Sequence, residues 1–369
     1  TDLPIYRGLM HAHSYWSHDS EGTLASIIPA ANKAGIDFIF LTDHPHGNID
    51  SIPRGYQGYY DGVLIEPGSE KQGFCTWPLD SVIIDWSVHK DTVAKNITTN
   101  GGMIFYAHSE EDHNWANLNY QGMEIYNIHT DTKDESLPSH VFNLIVNGHK
   151  YRHWSYREMF DEQVSILALW DSLNTRRKIV GFSAVDAHEN QNLRARYIED
   201  GSIQWLGPNA KPIDTVQLNI WNQWLFDEPD EEGWIFKFVI DTYETSFNYV
   251  TNYVLADTLS VPSIARHIKK GNLFIAFKSL GDAKGFMFCS KDGEGKVSGI
   301  LGDSVRWDQV RSLYAVSPLP GEFKLIHNGN TADTSSPGEY AYTWSGPMKE
   351  GVYRIEVHIR LNGETVPWV

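Results

Sequence analysis

The stretch TLASIIPAANKAGIDFIFLTDH, residues 23–44, joins a helix to a strand with almost no connection between them. Leu24, Ile27, Ile28, Ala31 and Ala34 recur at helical spacing, Thr23 stands at the N-cap position and Gly35 marks the stop. The apolar run IDFIFLTDH follows at once and reads as a buried strand. A helix feeding directly into such a strand is the rhythm of a parallel α/β fold. The strand also ends in Asp43 and His44, both able to bind a metal ion.

The same rhythm extends outward. Apolar runs recur as SVIIDWSVH (81–89), MIFYAH (103–108), GMEIYN (122–127) and IVGFSAVDAH (179–188), with the helical stretches LPSHVFNLIVNG (137–148) and EQVSILALWDSLN (162–174) between them. From 200 to 280 the pattern is less regular. PIDTVQLNIWNQWLF (212–226) has room for a strand, and SVPSIARHIKKGNLFIAF (260–277) reads as a helix, a stop at Gly271 and a strand. From 282 onward, GFMFCSKDG, RSLYAVS, GEFKLIHNGN and GVYRIEVHIRLNGETVPWV are short alternating strands between Gly, Pro, Asn and Asp turns. The expected organisation is an α/β domain over 1–281 followed by a small all-β sandwich over 282–369.

Composition narrows the function. The chain is 41% hydrophobic and 13% aromatic, which is globular rather than disordered. A net charge of −17 argues against general binding to nucleic acid or anionic membrane, since both need basic surface. No apolar run reaches the ~20 residues of a membrane span. A small anionic substrate would therefore need a local source of positive charge, which a metal cluster supplies. Cys75 and Cys289 stand far apart and match no metal-finger or redox spacing; buried thiols are favoured over a disulfide. The chain starts at Thr1, so localisation stays open between the cytoplasm and export after removal of a leader.

Several apolar runs end in metal-ligand residues. GLMHAH ends in His11 and His13, FIFLTDH in Asp43 and His44, VIIDWSVH in His89, MIFYAH in His108, and FSAVDAH in Asp186 and His188; VLIEPGSE places Glu70 just beyond another run. In α/β barrels the active site forms at the C-terminal ends of the strands, so ligands scattered along the chain converge there. A single histidine after a strand is more often a hydrogen-bonding loop residue, but five or six coincident strand-end events favour metal. Imidazole and carboxylate without thiolate suit Zn, Mn or Fe. About nine ligands exceed the needs of one tetrahedral ion, which implies two or three divalent ions with a carboxylate such as Glu70 bridging.

The ordered set HAH, TDH, GSE, VH, AH and DAH resembles the PHP (polymerase and histidinol phosphatase) superfamily over residues 5 to 190. The resemblance implies a distorted (β/α)7 barrel, related to the TIM barrel, holding two or three metals. It places His11 and His13 on one ion with Glu70 and Asp186, and a second ion on Glu70, His89 and His108. A third ion would take His44, His188 and one residue of SHDS. Many relatives carry a compact Ser-Asp-Gly after the first histidine pair, whereas here the stretch reads Ser17-His18-Asp19-Ser20-Glu21-Gly22. Asp19, six positions after His13, is preferred to His18 as the remaining ligand. RGLMHAHSYWSHDS, SIARHIKKGNLFIAF and the β-rich tail with its terminal PW also resemble the carbaryl-hydrolase-like branch, which narrows architecture more than substrate.

The implied activity is metal-dependent hydrolysis, first of all of a phosphomonoester, with a metal-bridged hydroxide as nucleophile and no covalent intermediate. No Gly-x-Ser-x-Gly elbow is present. Arg54, Arg194 and Arg196 are candidate phosphate clamps, with surface arginines as the equally weighted alternative. Asp43 is a candidate for proton transfer or for orienting a ligand. His46 stands beside the expected mouth; His113, His129, His140, His149, His153, His267 and His327 read as surface or structural. Two rivals stand: hydrolysis of a carboxylic or carbamate ester or an amide on the same metals, and a non-catalytic binding protein.

Overall fold

A computed structural model describes residues 3–50, 56–79, 83–128, 163–190, 192–207, 211–239 and 241–369. Six parallel strands form the centre of the molecule, in the spatial order Val63–Glu66, Phe38–Phe40, Ile5–Ala12, Val180–Ala187, Gly122–Asn127 and Met103–Tyr106. These strands are buried and apolar on both faces, as helix-covered parallel strands are. Leu9 joins the core formed with the helix Leu24–Ala34, while Met10, its neighbour, joins Phe38, Phe40, Phe105 and Phe182 on the other side. The helix stops at Gly35, whose φ of 64° allows its N–H to reach the Ala31 and Asn32 carbonyls. Thr23 occupies the N-cap position but makes no side-chain cap bond.

The sheet gains an antiparallel hairpin, Ser69–Lys71 with Phe74–Trp77, beside Met103–Tyr106. Its two-residue turn, Gln72-Gly73, has φ of 56° and 77°, the left-handed pair that matches strand twist. The strand ladders leave an open path, and a single parallel bridge between Asp43 and Ser69 brings the hairpin back toward Phe38–Phe40. The opening half of the first strand, Ile5–Gly8, pairs instead with Thr251–Leu255, which carries Leu273–Ala276 beside it. That last strand follows the helix Val261–Lys270 and its Gly271 stop, as the periodicity predicts.

Two readings change. The expected strand over 81–89 reduces, among the described residues, to Ile84–Asp85, paired with Ile49–Asp50. Asp85 bends the chain by accepting from both the N–H and the hydroxyl of Ser87, and His89 then caps the helix Lys90–Thr99. The stretch 192–239 is an antiparallel sheet of four strands, Pro212–Val216, Ile203–Leu206, Asn192–Tyr197 and Trp234–Val239 in spatial order, with a small core of Ala195, Ile203 and Ile235. The predicted helix over 137–148 lies outside the described residues, whereas Val164–Asn174 is helical.

A separate antiparallel β domain spans Met287 to Pro367. Its long strand Ser312–His327 pairs along its first half with Met287–Lys291 and along its second with Tyr353–Leu361, and Glu339–Trp344 and Asn330–Thr334 pair with it as well. The domain packs on Tyr253, Leu255, Phe274 and Ala276 of the large sheet. No described helix is long and apolar enough to cross a membrane. Both cysteines are buried free thiols.

Candidate metal centre

Strand ends build the site. His11, His108 and Asp186 all have left-handed backbones, with φ of 60°, 47° and 46°. Each such non-glycine conformation costs on the order of 1–3 kcal/mol and persists only where its surroundings impose it. At His11 the pairing with Val180–Ala187 also shifts register between Met10 and Ala12, turning the imidazole inward.

Glu70 lies at the middle. Its Oε2 is 3.0 Å from His11 Nε2, 3.3 Å from His13 Nε2 and 3.7 Å from His44 Nε2, while Oε1 is 3.2 Å from His108 Nε2. Asp186 Oδ1 stands opposite, 3.2 Å and 3.3 Å from the same His11 and His13 nitrogens. A neighbouring group forms around Asp19, whose Oδ2 is 3.4 Å from His44 Nε2 and 3.5 Å from His188 Nε2. The His13 and His188 rings stack with centroids 4.0 Å apart and link the two groups.

The donor set fits divalent ions. His11, His13, Glu70 and Asp186 offer four converging ligand atoms, and His13, Asp19, His44 and His188 offer a second set. His13 Nε2, Asp19 Oδ1 and Asp186 Oδ1 are buried without a hydrogen-bond partner among the described residues, an arrangement a polar interior tolerates when a cation completes it. Electrostatics agree. Burial would neutralise Glu70 and Asp186, but the surrounding histidines outweigh it and hold both well below the usual carboxylate range. Burial opposes charge on His44 too, yet Asp19 and Glu70 raise it to about 8; Glu110 and Glu70 similarly raise His108 to about 11. These carboxylates favour positive charge at His44 and His108.

The remaining candidates divide. His89 sits at a helix N-cap with its side chain 71% exposed and Asp91 beside it, outside both groups. Among the described residues the expected strand is only Ile84–Asp85 and does not reach it. His18 is exposed with its ring 5.3 Å from that of His44, and His46 is exposed. Asp43 turns away from the centre and accepts from the Ser14 N–H and hydroxyl, at 2.6 Å and 2.9 Å. Burial raises its pKa. Arg194 is buried and pairs with Glu21, while Arg196 reaches Gln204. Arg54 lies outside the described residues, as do His129, His140, His149 and His153. His113 stacks on Tyr106, and His267 is held between Asp257 and Asn272.

Other residues serve the site without announcing themselves. Ser17 Oγ meets His13 Nδ1 at 3.0 Å and accepts from the His44 N–H at 2.8 Å. Tyr243 donates to the His13 carbonyl at 2.6 Å. Glu124, buried in the strand Gly122–Asn127, contacts His11 Nδ1. A carboxylate within a strand buried on both sides is the signal that marks it, because such a charge requires partners.

The fold and the site define a mixed α/β protein with a buried His/Glu/Asp cluster, compatible with a metal-dependent hydrolase. No protein-family model and no curated protein matches the chain. The crystal structure of a two-domain protein from Bacteroides vulgatus, containing a predicted PHP-like metal-dependent phosphoesterase, aligns with 100% of this chain and 96% of its own. The TM-score is 0.36 and the identity 14%.

Proposed function

We propose that the protein is a metal-dependent phosphomonoesterase whose α/β domain closes as a PHP-type barrel. His11, His13, Glu70 and Asp186 would hold one divalent ion, and Asp19, His44 and His188 another, with Glu70 reaching toward His108. The central observation is Glu70, a buried carboxylate set among four imidazoles. Two clustered ions would supply a nucleophilic water at neutral pH and neutralise the oxygens of the transferred group.

The chain's own residues shape that chemistry. Glu70 and Asp186 stay anionic and fix the inner histidine rings. Ser17 joins His13 to the His44 backbone, so the two groups keep one spacing. Arg194 pairs with Glu21, and the Glu21 N–H and Ser20 hydroxyl both donate to the His188 carbonyl. Its role in this reading is to pin the Asp19 loop onto the His188 loop rather than to clamp phosphate.

The rival reading, ester or amide hydrolysis on the same ions, draws on Tyr15 and Trp16, which are exposed two and three residues after His13. Purified protein loaded with Mn or Zn is assayed on p-nitrophenyl phosphate, a phosphodiester and a carboxylic ester. Phosphate release from the monoester is the expected result. Ester turnover without phosphate release would replace this reading by its rival. Less than one metal per chain under replete conditions would favour a binding protein.

A further inference from the structure

Glu124 is used by neither ion position proposed above, although with His11 and Cys75 it forms a third group of converging ligand atoms, and it is 1% exposed in the interior of the large sheet. Burying a carboxylate costs several kcal/mol unless its oxygens are fully engaged, on the order of the estimates for real proteins. Here they are. Oε1 meets His11 Nδ1 and lies 3.8 Å from the Cys75 thiol; Oε2 accepts from the His108 N–H at 2.8 Å and from Asn127 Nδ2 at 2.9 Å. The strand aims it there through a register shift between Glu124 and Tyr126 against Val180–Ala187.

We infer that Glu124 is a positioning residue that sets two ion ligands at once, an inference that rests on the metal-centre reading above. Its acceptor oxygen requires the proton of His11 on Nδ1, which leaves the Nε2 lone pair directed at Glu70 and Asp186. Its second oxygen holds the His108 amide in the left-handed conformation that turns that imidazole toward Glu70. A glutamine cannot satisfy both demands. Its carboxamide has one acceptor oxygen, while the His11 Nδ1–H and the His108 N–H are both donors. Whichever end takes the oxygen, the other meets an NH2 group. With that NH2 against His11, the ring proton moves to Nε2 and the lone pair is lost to the ion.

The test uses the full chain with Glu124→Gln and Glu124→Asp. Zinc affinity is measured by competition with a chromophoric chelator, and the His11 tautomer by nitrogen-15 NMR of the metal-free protein at a pH where its imidazole is neutral. The positioning role requires zinc binding about 10- to 100-fold weaker in Glu124→Gln, the usual range for loss of such a partner. It also requires Nδ1–H in wild type, and the Asp variant, which keeps both acceptors, should regain part of the affinity. Circular dichroism and the melting temperature identify loss of the fold, which would transfer the decision to the wild-type tautomer. Unchanged affinity in a folded Glu124→Gln protein, or Nε2–H in wild type, overturns the inference. If wild type binds no divalent ion, the proposed function fails while the tautomer still judges Glu124.

Discussion

At the scale of single residues, the choice between His18 and Asp19 is the sharpest. Asp19 is half-buried with an oxygen facing both His44 and His188, and its histidine bonds outweigh burial and push its pKa down. His18 offers an exposed ring and no ligand atom to either group. Asp19→Ala should therefore lower the metal content by about one ion per chain, since it removes one of few ligands. His18→Ala should leave the content unchanged. Elemental analysis of both variants after equal loading decides the matter, and the opposite pattern would move the assignment to His18. The histidines were legible because imidazole following an apolar run is a rare coincidence that repeats here. Glu124 was not, since a glutamate within a strand resembles an outward-facing residue until both faces are known to be covered. His89 misled for the complementary reason. Ile84 and Trp86 are apolar because they pack on Phe74, Val93 and Ile97, not because they continue a sheet strand toward the centre.

At the scale of elements, the ligand-bearing turn after the first strand is held from three sides. Asp43 ties Ser14, the Gly22 carbonyl accepts from the Tyr15 N–H, and Tyr243 of the helix Tyr243–Phe247 donates to the His13 carbonyl. Gly22 is required there because a Cβ would stand 1.8 Å from the Tyr243 hydroxyl. Gly22→Ala should displace that ring, costing about 1–3 kcal/mol as overpacking does, and should weaken metal binding with it. Tyr243→Phe removes only the hydrogen bonds and should cost about 1 kcal/mol. Thermal melts with and without a chelator separate the two effects. An alanine variant that melts and binds metal like wild type would mean that the turn is not fixed by this contact. The helices Leu24–Ala34 and Val261–Lys270 and the central strands were readable because their apolar periodicity and the Gly35 and Gly271 stops are local. Lys90–Thr99, by contrast, was hidden behind the apolar run that precedes it. The hairpin from Ser69 to Trp77 was not, since its strands are short and its turn needs only one glycine. The four-stranded sheet over 192–239 was hidden for another reason. Its outer strand exposes Ile213, and the following turn exposes Ile220, Trp221 and Trp224, so the usual alternation is missing.

At the scale of the whole molecule, the β domain packs on Thr251–Leu255, which pairs with Ile5–Gly8, and on its neighbour Leu273–Ala276, whereas His11 and His13 lie at the other end of that first strand. Its influence on the site is through the scaffold. The junction is ionic as well as apolar: Arg354 makes two 2.9 Å bonds to Asp171 of the helix Val164–Asn174 and also pairs with Glu356. Glu356 in turn meets Lys324 at 3.1 Å and His358 at 2.9 Å. Burial would raise its pKa, but His358, Arg354 and Lys324 outweigh burial and lower it from 4.5 to about 2. A folded-state pKa below the unfolded one stabilises the protein above the unfolded value, and that stabilisation fades as pH falls toward the folded one. The difference amounts to at most about 3 kcal/mol by linkage. Glu356→Gln should therefore be less stable than wild type near pH 6, and the gap should close progressively between about pH 4.5 and pH 2. Urea unfolding of both proteins across that range measures it. A gap that stays constant with pH would show that Glu356 acts through packing, leaving the Arg354–Asp171 pair as the ionic tie between the domains.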